Sequence, residues 1–172
     1  KYGEILSKEA TEVIDKNTPF SDSILRTADG RAIVDMYYGN GNNNTFSLLV
    51  YAYNNNAYEK RITEQVKYLI KEAGVDGIYI DQFANGTMFP MTSAQDRTSY
   101  DRWDGRSVIL NPDGTIKMKV FDIGYASAPS RARIIRHVLD RGKILVANTQ
   151  PVTTTEAEAG GFRFYETDCE NL

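Results

Sequence analysis

Cysteine and histidine each occur once in this chain of 172 residues, as Cys169 and His137. One cysteine excludes an internal disulfide and any metal site built from several thiolates. One histidine excludes a multi-histidine metal site, and its mid-helix position is poor for the base of a Ser-His-Asp triad. No apolar run approaches the ~20 residues that cross a bilayer, so no membrane span is expected. The net charge is −3 and no Lys/Arg cluster stands out, so no nucleic-acid surface is expected. Neither a Gly-x-Gly-x-x-Gly nor a Gly-x-x-x-x-Gly-Lys-Ser/Thr pattern follows any strand. The backbone cradles that hold nucleotide phosphates are therefore missing, and neither cofactor nor metal is expected.

What is present points to one domain over 1–172. At 41% hydrophobic residues, a chain of this length buries one sizeable core. Eleven tyrosines and seven phenylalanines suit both a packed core and a groove lined for sugars. The sequence starts at Lys1 without a visible leader, which reads as a processed product or a piece of a longer polypeptide. The sequons Asn43-Asn44-Thr45 and Asn85-Gly86-Thr87 make Asn43 and Asn85 candidate glycosylation sites and lean the expected location toward extracellular or secreted.

Periodicity lays out the elements. Leu6, Ala10, Val13 and Ile14 form a helical stripe over 3–16. Strand patterns follow over 31–38 and 46–53. Asn56 and Glu59 resemble a capping box. The helix behind them carries Tyr58, Ile62, Val66, Leu69 and Ile70 on one face and stops at Gly74. Residues 77–83 then read as a strand with apolar residues on both faces, parallel to 46–53. Residues 84–126 read as an inserted loop containing a hairpin around Asn111-Pro112-Asp113-Gly114. A helix with Ser127 as cap and Pro129 in its first turn leads to a strand over 143–149. A helix-competent stretch over 151–160 then leads to a last strand over 161–167. This alternation predicts an α/β fold, a parallel TIM-like β/α barrel. With fewer strands than the eight of a full barrel, it is expected to be incomplete and completed by further segments of this chain or another.

In such folds chemistry gathers where strands end. That selects Asp81, then Gln82, Asn148 and Glu166. Two carboxylates at strand ends are the working parts of glycoside hydrolysis: one attacks the anomeric carbon or activates water, the other protonates the leaving oxygen. Asp81 is the candidate nucleophile and Glu166, beside Tyr165, the candidate proton donor. Tyr79, Gln82, Asn148 and Tyr165 are the expected substrate contacts at the strand ends, although Asn148 also reads as a residue bonding neighbouring backbone. In the insertion, Tyr100-Asp101-Arg102-Trp103-Asp104-Gly105 places the only tryptophan between two acids. It reads either as a sugar subsite wall of Asp101, Trp103 and Asp104 or as packing plus turn caps. The spacing of Asp96, Asp101 and Asp104 lacks the EF-hand pattern and reads as solvated turns.

The segment YLIKEAGVDGIYIDQF resembles the fourth-strand region of the α-galactosidase and α-glucosidase superfamily of glycoside-hydrolase barrels. There a helix ending in Gly leads into an Asp-Gly-aromatic strand with a terminal nucleophilic Asp. The resemblance implies that role for Asp81 and places an acid/base two strands later, at Glu166 or the nearby Asp168. The implied function is cleavage of a glycosidic bond, with carbohydrate as partner. The alternative is a non-catalytic glycan-binding or structural extracellular glycoprotein.

Overall fold

Side chains at the helix ends fix where the helices begin and stop in the computed structural model, which describes residues 4–38, 44–81, 83 and 98–164. Helix α1 (Lys8–Asn17) starts after Ser7, whose hydroxyl accepts from Ala10 N–H. Helix α2 (Ala57–Lys71) starts after Asn56, whose Oδ1 accepts from Glu59 N–H at 3.0 Å. Glu59 reaches back to Asn55 N–H at 2.8 Å, so a backbone amide N–H on each side of the cap is satisfied. Gly74 ends that turn at φ 69°, a backbone angle side chains rarely adopt. The short α3 (Ile123–Ala126) leads through Ser127 into α4 (Ala128–Leu139), with Pro129 in its first turn. Thr153 caps α5 (Thr154–Glu158).

The strands form separate sheets. One is antiparallel, with β1 (Glu4–Ile5) beside β2 (Ile33–Tyr38) beside β3 (Asn44–Leu48). A parallel sheet holds β4 (Gly77–Ile80), β9 (Ile144–Asn148) and β10 (Phe162–Phe164), with β9 in the centre. Two small antiparallel pairs lie between: β5 (Thr98–Ser99) with β8 (Phe121–Asp122), and the hairpin of β6 (Val108–Leu110) and β7 (Ile116–Lys119).

This corrects the sequence-based fold. Among the described residues no TIM-like barrel forms, complete or partial: the sheets are short, separate and mostly antiparallel, and the parallel pairings there are β4 with β9 and β9 with β10. Among the described residues the expected parallel pairing of 46–53 with 77–83 does not form. Instead Val34 faces Leu48 and Asp35 faces Ser47 across an antiparallel ladder, and Val50 bridges Ile24. The reason lies in the connection. Only residues 39–43 separate β2 from β3, and so short a link returns a chain antiparallel, whereas a parallel return needs a crossover of a dozen or more residues. The helices α4 and α5 provide those crossovers for β9 and β10.

Among the described residues the helices cover one face of the parallel sheet. Ile78, Leu145 and Ala147 pack with Val66 of α2 and with Ile134, Ile135 and Val138 of α4 into the main core. Each such buried aliphatic side chain contributes roughly 2 kcal/mol. On the opposite face Tyr79, Ile144, Phe162 and Phe164 are exposed, at 56%, 51%, 68% and 40%. A second cluster, Leu25, Ile33, Tyr51, Phe121 and Ile123, ties the antiparallel sheet to the segment around β8. No helix among the described residues is long and apolar enough to cross a membrane.

Candidate functional site

The backbone brings the ends of β4 and β9 side by side. Gly77 lies against β9 so closely that a Cβ there would sit 2.8 Å from the Ile144 carbonyl oxygen. Past the end of β4 the two chains stay together, because Phe83 N–H donates to the Asn148 carbonyl at 3.1 Å. Thr149 leaves β9 at φ 102° and donates its N–H to the Phe164 carbonyl at 3.0 Å. That angle is strained for a β-branched residue and is sustained by the surrounding contacts.

Asp81 occupies the turn that follows β4, with its side chain exposed. The buried Asn148 donates from Nδ2 to Asp81 Oδ1 at 2.7 Å, and Tyr79 donates its hydroxyl to the same oxygen at 3.0 Å. Two donors on one oxygen fix the carboxylate's orientation. The Tyr79 ring in turn stacks on Phe164, centroids 5.9 Å apart and planes 23° apart. A carboxylate therefore stands at the rim of a half-exposed aromatic pair. Toward the helices, Asp81 also lines a cavity of about 70 Å³ with Tyr51, Phe83, Ser127 and Arg131 in its wall.

Of the expected site residues, the structure brings together Asp81, Tyr79 and Asn148. Gln82, Tyr165, Glu166 and Asp168 lie outside the described residues, as do the sequon residues Asn43 and Asn85. Asp101 accepts from Ser99 Oγ at 2.6 Å and pairs with Arg102, whose guanidinium lies 5.8 Å from the centre of the Tyr51 ring. Burial pushes the Asp101 carboxyl up, but the bonds from Arg102 and Ser99 outweigh it and hold it below the usual range. Through Arg102 and Tyr51, Asp101 adjoins the cavity wall.

Trp103 and Asp104 lie elsewhere. The Trp103 indole N–H donates to the Ser107 carbonyl at 3.1 Å, and Lys119 Nζ sits 4.2 Å from the ring centre. Asp104 caps turns: Oδ1 accepts from the N–H groups of Arg106 and Ser107, Oδ2 from that of Asp122. Burial raises its carboxyl and these bonds override that, lowering it on balance. Asp104 lines a separate groove with Arg106 and Tyr125. Among the described residues no group of three His, Cys, Asp or Glu is placed to hold a metal ion.

Phe164, Tyr51, Ser127 and Arg131 are the residues of this region that strand-end reasoning misses. The alternation of 161–167 could have flagged Phe164. Nothing local marks the other three, because the cavity forms from segments far apart in sequence. Arg131, a buried part of that wall, pairs with Glu156 at 3.1 Å, and Arg163 pairs with the same carboxylate at 3.1 Å.

No protein-family model matches the chain, and neither a curated protein nor a solved structure is found similar to it.

Proposed function

We propose that this chain acts on carbohydrate and cleaves a glycosidic bond, with Asp81 as the attacking carboxylate. One observation carries the reading. Asp81 is held on a single oxygen by Asn148 and Tyr79, beside the exposed Tyr79–Phe164 pair. Aromatic faces stack on the C–H faces of sugars, and a carboxylate beside them meets the anomeric carbon or a hydroxyl. In the reaction Asp81 forms a bond to the anomeric carbon while the glycosidic C–O bond breaks. The leaving oxygen takes a proton from Glu166, the acid/base that the resemblance implies; water, deprotonated by the same carboxylate, then displaces the sugar from Asp81. Carbohydrate is thus the partner, and the two sequons favour an extracellular setting. Further polypeptide is the remaining expected partner, for the apolar surface at Ile144 and Phe162.

Hydrolysis of a panel of aryl glycosides by the wild type, Asp81→Asn and Glu166→Gln tests this. Turnover by the wild type, with a fall of roughly three orders of magnitude or more in Asp81→Asn, supports it. Wild-type turnover that survives in Asp81→Asn removes Asp81 from the reaction. Sugar binding without turnover points instead to the glycan-binding reading, which the exposed aromatic face also favours.

A further inference from the structure

Two buried guanidinium groups share one carboxylate beneath the strand ends. Glu156 pairs with Arg131 and with Arg163, each at 3.1 Å. Arg131 also donates to the carbonyls of Ile123 and Gly124, which ties α4 to α3. Arg163 has no such structural role in the helices. Its side chain is 9% exposed, and its Nη2 has no hydrogen-bond partner among the described residues. A second buried cation carries its own desolvation cost, and Glu156 already has a partner in Arg131. The ion pair alone therefore does not account for an arginine at this position of β10.

Its remaining contacts lie at the two strand ends that carry Asn148 and Asp81. Arg163 Nη1 donates to the Thr149 carbonyl at 3.4 Å. The next residue, Phe164, accepts from Thr149 N–H at 3.0 Å. Thr149 is thus held at both its N–H and its carbonyl while its φ stands at 102°, an angle that persists in a β-branched residue only where neighbours enforce it. The same guanidinium lies 5.5 Å from the centre of the Phe83 ring, within cation–π range. Phe83 N–H in turn donates to the Asn148 carbonyl. One side chain therefore touches the residue after Asn148 and the residue two past Asp81. We propose that Arg163 is a positioning residue: anchored on Glu156, it braces the exits of β9 and β4 so that Asn148 stays bonded to Asp81. This rests on the reading of Asp81 as the attacking carboxylate and names what keeps that group aimed. The planar fork of arginine reaches a carboxylate, a carbonyl and a ring at once, which the point charge of lysine does not.

Arg163→Lys keeps a charge for Glu156 and removes the fork, so it tests the brace in the intact chain. The first readout is the proton resonance of the Asn148 side-chain amide, which its bond to the Asp81 carboxylate moves downfield. In Arg163→Lys it should shift toward its position in Asp81→Ala; an arginine that only balances charge would leave it in place. On any aryl glycoside the wild type cleaves, kcat should fall about tenfold or more while KM stays within about twofold, because aim is lost and binding is not. The strained exit gives a second test that does not touch Arg163. Thr149→Gly should have a higher urea midpoint than Thr149→Ala, the reverse of their order at ordinary strand positions. With Arg163→Lys added, that preference should shrink, because an unbraced exit relaxes and the two sites are coupled. An Asn148 resonance unmoved in Arg163→Lys overturns the brace and leaves the reading of Asp81 intact. A glycine preference at 149 that is absent, or unchanged by Arg163→Lys, also overturns it. Absence of wild-type turnover on every glycoside, with the resonance and the midpoints as expected, overturns the cleavage reading and supports the brace.

Discussion

Asn148 and Asp81, separated by 67 positions in sequence, share a 2.7 Å hydrogen bond between the ends of β9 and β4. The donor is fully buried and the acceptor is exposed, so a rigid group in the core aims a carboxylate at the surface. Asn148→Ala removes that aim and leaves Tyr79 as the other donor. The expected result is a drop in kcat of at least about tenfold on any aryl glycoside the wild type cleaves, since a misaimed reacting group loses much of its positional advantage. Tyr79→Phe should lower kcat less, because Asn148 still holds the carboxylate, and leave KM little changed, because the ring stacked on Phe164 remains. Steady-state kinetics on the two variants separates these effects, and equal, unchanged parameters would remove both residues from the site.

Behind the cavity, Glu156 is fully buried between Arg131 and Arg163, two guanidinium groups that are themselves at least nine-tenths buried. Burial pulls the Arg131 guanidinium below its ordinary range, and Glu156 opposes that shift. Removing the acid strands two cations in the core. Glu156→Ala should therefore cost about 3–5 kcal/mol. Urea denaturation measures it. The double variant Arg131→Met with Glu156→Leu should recover part of the loss, because matched apolar replacements need no charge partner.

The cap of α2 makes a second stability test. Asn56→Ala removes three bonds, those its Oδ1 accepts from the N–H groups of Glu59 and Tyr53 and the one its Nδ2 donates to the Tyr51 carbonyl, and should cost about 1–2 kcal/mol. Glu59 accepts from Asn55 N–H, from the buried Ser130 hydroxyl at 2.8 Å and from Arg133 at 2.6 Å. Glu59→Ala should cost about 2 kcal/mol, since it takes the acceptor from the buried Ser130 hydroxyl proton, which leaves only the bonds Ser130 Oγ accepts from Asn54 and Arg133. The double variant should lose less than the sum, because both act on one helix start. Additive losses in denaturant titrations would mean that the two side chains act independently.

How far the sequence carries depends on the range of each interaction. Helix α2 was readable because Asn56, Glu59, the Tyr58–Ile62–Val66 stripe and Gly74 all act within a few residues of one another. Asp81 was readable as a strand end, and so was Asn148, although their bond was not. Pairing was less legible. Residues 46–53 carry the apolar pattern of a buried parallel strand, yet the five-residue link to β2 decided their partner. The exposed face of β4 was misread for a related reason: Ile78 and Tyr79 both look like core, and only the one-sided helix layer leaves Tyr79 uncovered. Ser127 reads as a helix cap and Tyr51 as a strand residue; that both line one cavity becomes visible only once α4 packs against the segment after β3.

His137 gives a pH test that does not depend on function. It sits in α4, partly buried, and its Nε2 has no hydrogen-bond partner among the described residues. Burial lowers its pKa from the ordinary value, with further lowering from Arg141 and from Lys67 of α2 and a small opposing effect from Asp140. The folded chain therefore resists protonation that the unfolded chain accepts near its ordinary pKa of about 6.5. In that window the unfolded state binds more protons, so stability rises with pH and levels off above it. On acidification the loss begins near the unfolded value and is complete once pH passes below the lowered folded value. His137→Gln should flatten this segment of the stability curve and leave the acid limb due to carboxylates in place. Urea midpoints measured at intervals from pH 8 down to 5 in both proteins provide the comparison. A wild-type curve as flat as the variant's through that interval would show that the imidazole titrates alike in the folded and unfolded chain.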